Sequence, residues 1–310
     1  MPGFIEKQKY NDWVWGGLGA NTSFVVNSGG QWLDYLPVME NQNSCGWETY
    51  LCTSFSTLNC MEIIHKFLTG NEINWSDRFN GVLSGTVPYG GNSLQAVADN
   101  IIKNGLVLES ECPLIPNQAE FYQISNETKK KGLEWLDKYA LNYWTVRPER
   151  ETYQLDIMKA LEYSPLAVGV AYADGDGILD PKASQNHLVA LVGYKKGSYW
   201  IVMDSFSRKT KKYHWDYKFG GIYLYKLTIK ETDMLIVKEN EIYHLVEGPE
   251  QRLAIGIDGS LFIGDKGQEF MVVLQASGRK NVKLGEIKPI QVNLADWESV
   301  NHYNLKGERI

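Results

Sequence analysis

Around Tyr153 the hydrophobic pattern of this 310-residue chain changes, and the change limits what it can fold into. Ahead of it, apolar residues recur at helical spacing. Phe55, Leu58, Met61, Ile64 and Phe67 follow one another every three residues between Cys52 and Leu68. "SLQAVADNIIKN" (Ser93 to Asn104) reads as a second helix, with Ser93 placed to cap its start and Gly105 to end it. "ETKKKGLEWLDKYA" reads as a third. Behind Tyr153, "PLAVGVAYA", "HLVALVGY", "YWIVMDSF" and "GIYLYKL" are short β-branched and aromatic runs with turn residues between them, the mark of strands. Helices first and an antiparallel sheet second predict an α+β fold of two halves.

A further β-rich region begins near Ile229. "MLIVKENEIYHLV" reads as a hairpin, Asp258-Gly259 is a pair suited to a tight hairpin turn, and "VKLGEIKPIQVNL" adds strand. The expected organisation is a Gly- and Asn-rich N-terminal extension over 1–30, a main domain over 31–228 and a small all-β module over 229–310, large enough to fold by itself.

Composition sets the function classes aside one by one. With 44% hydrophobic residues, 22% charged and a net charge of −6, the chain is globular and a poor match to nucleic acid. Its one dense basic run, "SRKTKK" (Ser207 to Lys212), reads as a solvated turn. No apolar run reaches about 18 residues, so no membrane span is expected. The start lacks a basic stretch followed by an apolar one, so no secretory signal is expected. Four cysteines, Cys45, Cys52, Cys60 and Cys112, form neither a disulfide framework nor a zinc pattern, which points to free thiols in a reducing compartment. The acidic run "DGDGILD" (Asp174 to Asp180) lacks the bidentate Glu of a calcium loop and reads as a turn. No metal or cofactor is expected.

One of those thiols stands where chemistry is possible. A thiol reacts as thiolate, and a helix N-terminus or a neighbouring imidazolium stabilises that anion. Cys52 sits where the helical period begins; Cys45 precedes it in the loop, and Cys60 lies eight residues in. His65 is thirteen residues along the same helix, about 20 Å away, and cannot pair with Cys52. His187 opens a strand, and Asp204 follows seventeen residues later, past the "KKGS" turn. A hairpin folded there brings a carboxylate to the imidazole. Taken singly, each residue has a plainer reading: a packed core Cys, a surface or capping His, a turn Asp.

Taken in order, "NQNSCGWETYLCTSFS", "YGGNSLQAVADN", "NHLVALVGY", "YWIVMDSFS" and "GGIYLYKL" resemble the papain-like cysteine peptidases across Gln42 to Leu227. The likeness is to divergent, phage-like or metagenomic members. It implies a papain-like two-lobed fold, a helical left half against an antiparallel right half. It further implies a peptidase acting on a peptide or protein substrate through a thioester. Cys52 would attack, His187 would carry the proton, Asp204 would orient His187, and Gln42 would donate to the oxyanion. Gly90 and Gly91 would pair with an extended peptide, Asn186 would line a side-chain pocket beside Ala183, and Phe206 would shield the His–Asp contact.

Departures from the family pattern are visible. Gln42 and Cys52 lie ten residues apart, a longer span than the family keeps. Asn41, Asn43 or Ser44 could take the place of Gln42 if the insertion displaces it. Thr53, Asp204 and Phe206 stand where the family has Trp, Asn and Trp. Cys45 sits at a half-cystine of secreted relatives, with Cys60 or Cys112 as the partner it would need, and is the rival nucleophile. Two other readings stay open: a peptidoglycan endopeptidase or amidase, and an inactive scaffold in a virion that binds through its β module. A cytoplasmic or virion-associated location follows from the absent signal and span.

Overall fold

The computed structural model of the protein describes residues 27–230 and, beyond them, five strands between Gln251 and Tyr303. The chain divides into two compact units, residues 1–230 and 231–310.

The first unit is built on one long helix. α1 (Cys52–Thr69) is followed by α2 (Asp77–Leu83), α3 (Leu94–Asn104), α4 (Gln118–Phe121), α5 (Asn126–Lys138) and, after a strand, α6 (Tyr153–Leu161). The seven strands are β1 (Tyr139–Val146), β2 (Leu166–Val170), β3 (Ile178–Leu179), β4 (His187–Lys195), β5 (Tyr199–Asp204), β6 (Lys209–His214) and β7 (Gly220–Ile229). They form one sheet in the order β1-β7-β2-β4-β5-β6-β3, antiparallel throughout except for the β3–β6 pair.

α1 packs against β4, β7 and β2 on one side and against α2 and α3 on the other. Covered from both sides, it is buried continuously from Cys52 to His65, polar positions included. Several of those polar groups are answered in place, as burial favours, with Thr53 Oγ1 an exception. Ser54 Oγ donates to Asp77 O (3.1 Å), Thr57 Oγ1 meets Tyr225 Oη (3.0 Å), and Glu62 accepts the Trp75 N–H (2.8 Å). The Ser93 cap is present, accepting from Ala96 N. Gly105 ends α3 at φ +64, and a Cβ there would lie 1.9 Å from Gly132 O, so only glycine permits the α3–α5 approach.

Two elements depart from the helices-then-strands order. The predicted third helix stops at Lys138, and Tyr139 onward is strand β1, which pairs along its length with β7. Helix α6 intervenes before β2. The aromatic residues of β1 are half-buried, Tyr139 against Trp75 and Trp135 of the helical half and Tyr143 against Tyr223 of β7, so they show no clean alternation. The "SRKTKK" run is corrected in part: Ser207 and Arg208 lie in a turn, as expected, but Lys209 to Lys212 belong to strand β6 and Lys211 is buried.

In the second unit the described strands are β8 (Gln251–Ile255), β9 (Leu261–Asp265), β10 (Met271–Leu274), β11 (Lys288–Ile290) and β12 (Asn301–Tyr303), an antiparallel sheet ordered β11-β10-β9-β8-β12. β8 and β9 flank Asp258-Gly259 and pair from Ile255↔Leu261 outward. That turn, "MLIVKENEIYHLV" and most of residues 1–30 lie outside the described residues. Among those described, no helix is long and apolar enough to cross a membrane.

An acidic cluster at the base of α1 makes stability depend on pH. Burial pushes Glu62 and Asp77 well above the ordinary carboxyl range and Glu109 from 4.5 to about 7, with neighbouring Glu40 adding repulsion to each. Each carboxyl therefore holds its proton more tightly folded than unfolded. The stability Glu109 lends is complete below 4.5 and is lost as pH rises to about 7. Thermal melts are expected to show Tm falling across that window, and Glu109→Gln to flatten the fall. An unchanged slope in the variant would rule Glu109 out as its source.

Candidate active site

The fold brings Cys52 to His187 because the first residue of α1 packs against the strand that His187 opens. No side chain caps the start of α1 and no acid sits in its first turn, so its free N–H groups leave partial positive charge beside the Cys52 sulfur. On the other side, β4 and β5 form the predicted hairpin. Ala190 faces Met203, which sets Asp204 across from Val189 and puts His187 two residues further along the same face. The diagonal closes with His187 Nε2 to Asp204 Oδ1 at 2.8 Å, both side chains almost fully buried. With Nε2 taken by Asp204, Nδ1 is the buried ring nitrogen left without a hydrogen-bond partner, and Cys52 is close enough to the ring to favour its charged form.

A buried carboxylate needs all its lone pairs answered. Asp204 Oδ1 accepts from His187 and from Phe206 N (2.9 Å); Oδ2 accepts from Ser207 Oγ (2.9 Å) and from Lys211 Nζ (2.7 Å). Burial opposes its charge, yet His187 and then Lys211 hold the carboxyl well below its usual range. Burial likewise opposes charge on His187, and Asp204 and Cys52 overcome it, pushing the imidazole up to about 9.

Gln42 is buried beside this array. Its backbone N–H donates to Ser205 O (3.1 Å), Thr49 Oγ1 donates to its carbonyl (2.9 Å), and Ser205 Oγ donates to its Oε1 (3.0 Å). These bonds hold Gln42 despite the long span to Cys52. The inserted residues have another effect: Gln42 Nε2 donates to Glu48 Oε1 (3.2 Å), and the Tyr50 N–H donates to the same oxygen (3.2 Å). Tyr50 has φ +59, a left-handed backbone that is uncommon outside glycine.

Phe206 lies edge-on to His187 at 5.9 Å, with Tyr172 on both rings at 5.7 and 4.7 Å. Gly91 is buried and bridged to Val87 with φ +61, and Gly90 is half-buried. Asn186 Oδ1 accepts the Tyr172 N–H (2.9 Å), and Ala183 is exposed. Cys45 is half-buried, its thiol on Trp47 O at 3.8 Å, and burial pushes it up, the reverse of activation. No disulfide joins the four cysteines, so Cys45 is bonded to neither Cys60 nor Cys112. Among the described residues, no three His, Cys, Asp or Glu side chains are placed to hold a metal. The acids of the Asp174–Asp180 run face lysines instead: Asp174 faces Lys211, Asp176 Lys209 and Asp180 Lys182.

Lys211 is the residue that sequence reasoning missed. Its signal was the alternation of β6: Tyr213 points inward, so Lys211, two residues before it, does too.

The description "Papain family cysteine protease" belongs to the family model that matches residues 33–215. Macrodontain-1 of Ananas macrodontes is 29% identical over 188 residues, 56% of this chain and 80% of that protein. Among solved structures, the proform of the ragweed pollen cysteine protease Amb a 11 superposes with a TM-score of 0.51 at 15% identity, covering 70% of each chain. Procathepsin L 3 of the Tenebrio molitor larval midgut gives 0.48 at 17% identity, covering 63% of this chain and 68% of its own.

The electrostatics of the site can be read directly. In an NMR titration the His187 imidazole is expected to change charge near pH 9. Asp204→Asn should bring that midpoint down by roughly 1–3 units, the effect of losing an opposite charge at contact distance. A midpoint that stays put would mean Asp204 does not govern the ring.

Proposed function

The chain belongs to the papain family of cysteine proteases, and from that membership we propose that Cys52, His187 and Asp204 form its catalytic triad and cleave peptide bonds through a thioester. It is a cysteine-type peptidase, a hydrolase. The observation that carries the assignment is the buried Cys52–His187–Asp204 array at the start of α1.

The His187 imidazole, whose charged form persists to about pH 9, is the proton carrier of the pair. The sulfur attacks the scissile carbonyl carbon, and His187 Nδ1–H passes its proton to the departing amine. Water then attacks the thioester, returning a proton to His187 and releasing the acid product. Asp204 keeps the ring in one orientation and offsets its charge, as a carboxylate partner does in other triads. The free N–H groups at the α1 terminus and Gln42 Nε2 are the donors for the oxyanion. Phe206 and Tyr172 keep water from the His187–Asp204 contact. A peptide or protein is the substrate, and four cysteines without a disulfide suit a reducing compartment.

The decisive test is labelling with an epoxysuccinyl thiol probe and mass spectrometry. Wild-type protein is expected to carry the label on Cys52, and Cys52→Ala none; a label retained in the variant rejects the triad. With a p-nitrophenyl ester, Gln42→Ala should lower kcat by about 10²–10³. Glu48→Ala should act the other way and raise the acylation rate, because the carboxylate occupying Gln42 Nε2 has gone. A rate that drops on removing Glu48 would show that this contact supports the donor instead of blocking it.

A further inference from the structure

We propose that Lys211 is a positioning residue of the triad, fixing the Asp204 carboxylate against His187 and setting the alkaline limit of activity. The proposal rests on the triad reading above and adds a fourth member to it.

The Lys211 side chain is 1% exposed. An ammonium taken that far out of water is strongly disfavoured unless it is paired and hydrogen-bonded. It has three donors, and the site offers three acceptors: Asp204 Oδ2 at 2.7 Å, Ala173 O at 2.8 Å and Asp174 Oδ1 at 3.5 Å. Its Nζ also stands 4.6 Å over the Tyr172 ring, the ring that packs on His187 and Phe206.

Strand register explains the placement. Val202 faces Lys211 across β5–β6, so Lys211 lies diagonal to Asp204 on one face, as His187 does from β4. Three adjacent strands thus line up imidazole, carboxylate and ammonium. Each Asp204 oxygen answers a cation from a different strand, and the carboxylate cannot rotate without leaving one of them unpaired.

The same pairing governs charge. Where the family has a neutral Asn, this chain has a carboxylate and an ammonium whose charges cancel. The attraction of Asp204 for imidazolium is thereby offset in part by the repulsion of Lys211. The other ionisable groups around the pair are Cys52 on α1, Glu48 in the loop before it, Tyr172 and Asp174 after β2, and Lys209 and Tyr213 on β6. None of these is a buried cation on Asp204; among the described residues Lys211 is the buried ammonium that meets it, opposite the His187 imidazole.

The test uses the full chain as wild type, Lys211→Arg, Lys211→Met, Asp204→Asn and the Asp204→Asn/Lys211→Met double variant. Two readouts are taken against pH: p-nitrophenyl ester hydrolysis, split into kcat and KM, and the His187 NMR titration. Lys211→Met should move the alkaline limb of kcat upward by about half a pH unit or more, because an imidazolium has lost a neighbouring cation. Lys211→Arg should retain the wild-type limb. Asp204→Asn should move it down, and the double variant should return toward wild type. An alkaline limb identical in wild type and Lys211→Met, with only stability or overall rate reduced, would leave Lys211 a structural residue and overturn the proposal. If Lys211→Met does not fold, the Asp204→Asn pair decides: equal limbs with and without Lys211 also overturn it. The imidazole titration separates this inference from the triad. It responds to Lys211 even if Cys52 proves not to be the nucleophile.

Discussion

The Asp204 carboxylate is the constraint around which the site is organised. It is 1% exposed and charged, a combination tolerated only with every lone pair occupied. Four donors meet it: an imidazole from β4, an ammonium from β6, and a backbone N–H and a hydroxyl from its own turn. Those partners need β4, β5 and β6 in one register, since a one-residue slip would send each side chain to the opposite face. The sheet is therefore tied to the site by electrostatics as well as by packing.

What the sheet supplies is only half. α1 carries the thiol from the other half of the unit, buried between the sheet and α2 and α3. Its polar residues are satisfied across that boundary, Thr57 by Tyr225 of β7 and Ser54 by Asp77 of α2. The segment carrying Gln42 adds a third tie, from Trp32 Nε1 on Leu161 O (2.8 Å) to Gln42 N–H on Ser205 O. The position of the sulfur is thus fixed from several directions before any substrate arrives, which is what preorganised catalysis needs.

Much of this was legible in the residues. The spacing of Phe55 to Phe67 marked α1, Ser93 and Gly105 marked the ends of α3, and the β4–β5 hairpin followed from two apolar runs with a turn between them. The His187–Asp204 contact came from counting along that hairpin. β1 was hidden because its aromatics serve two layers and break the alternation that betrays a strand. Lys211 was hidden by composition: in "SRKTKK" every basic residue looks alike, and only strand pairing separates the one facing in from those facing water. The Gln42–Glu48 contact was hidden because an insertion declares its length in sequence and its path only in space.

The place of β7 in the sheet has a consequence for how the molecule comes into being. The last strand of the first unit lies between β1 and β2, one strand in from the edge of the sheet. A ribosome releases that strand after everything it must join, so the helical half waits beside an unfinished sheet until residue 229 has emerged. Sulfur and imidazole, 135 positions apart in the chain, meet across a sheet that this strand completes. A chain that ends before β7 lacks the strand that joins β1 to β2, and with it part of the sheet surface on which α1 packs.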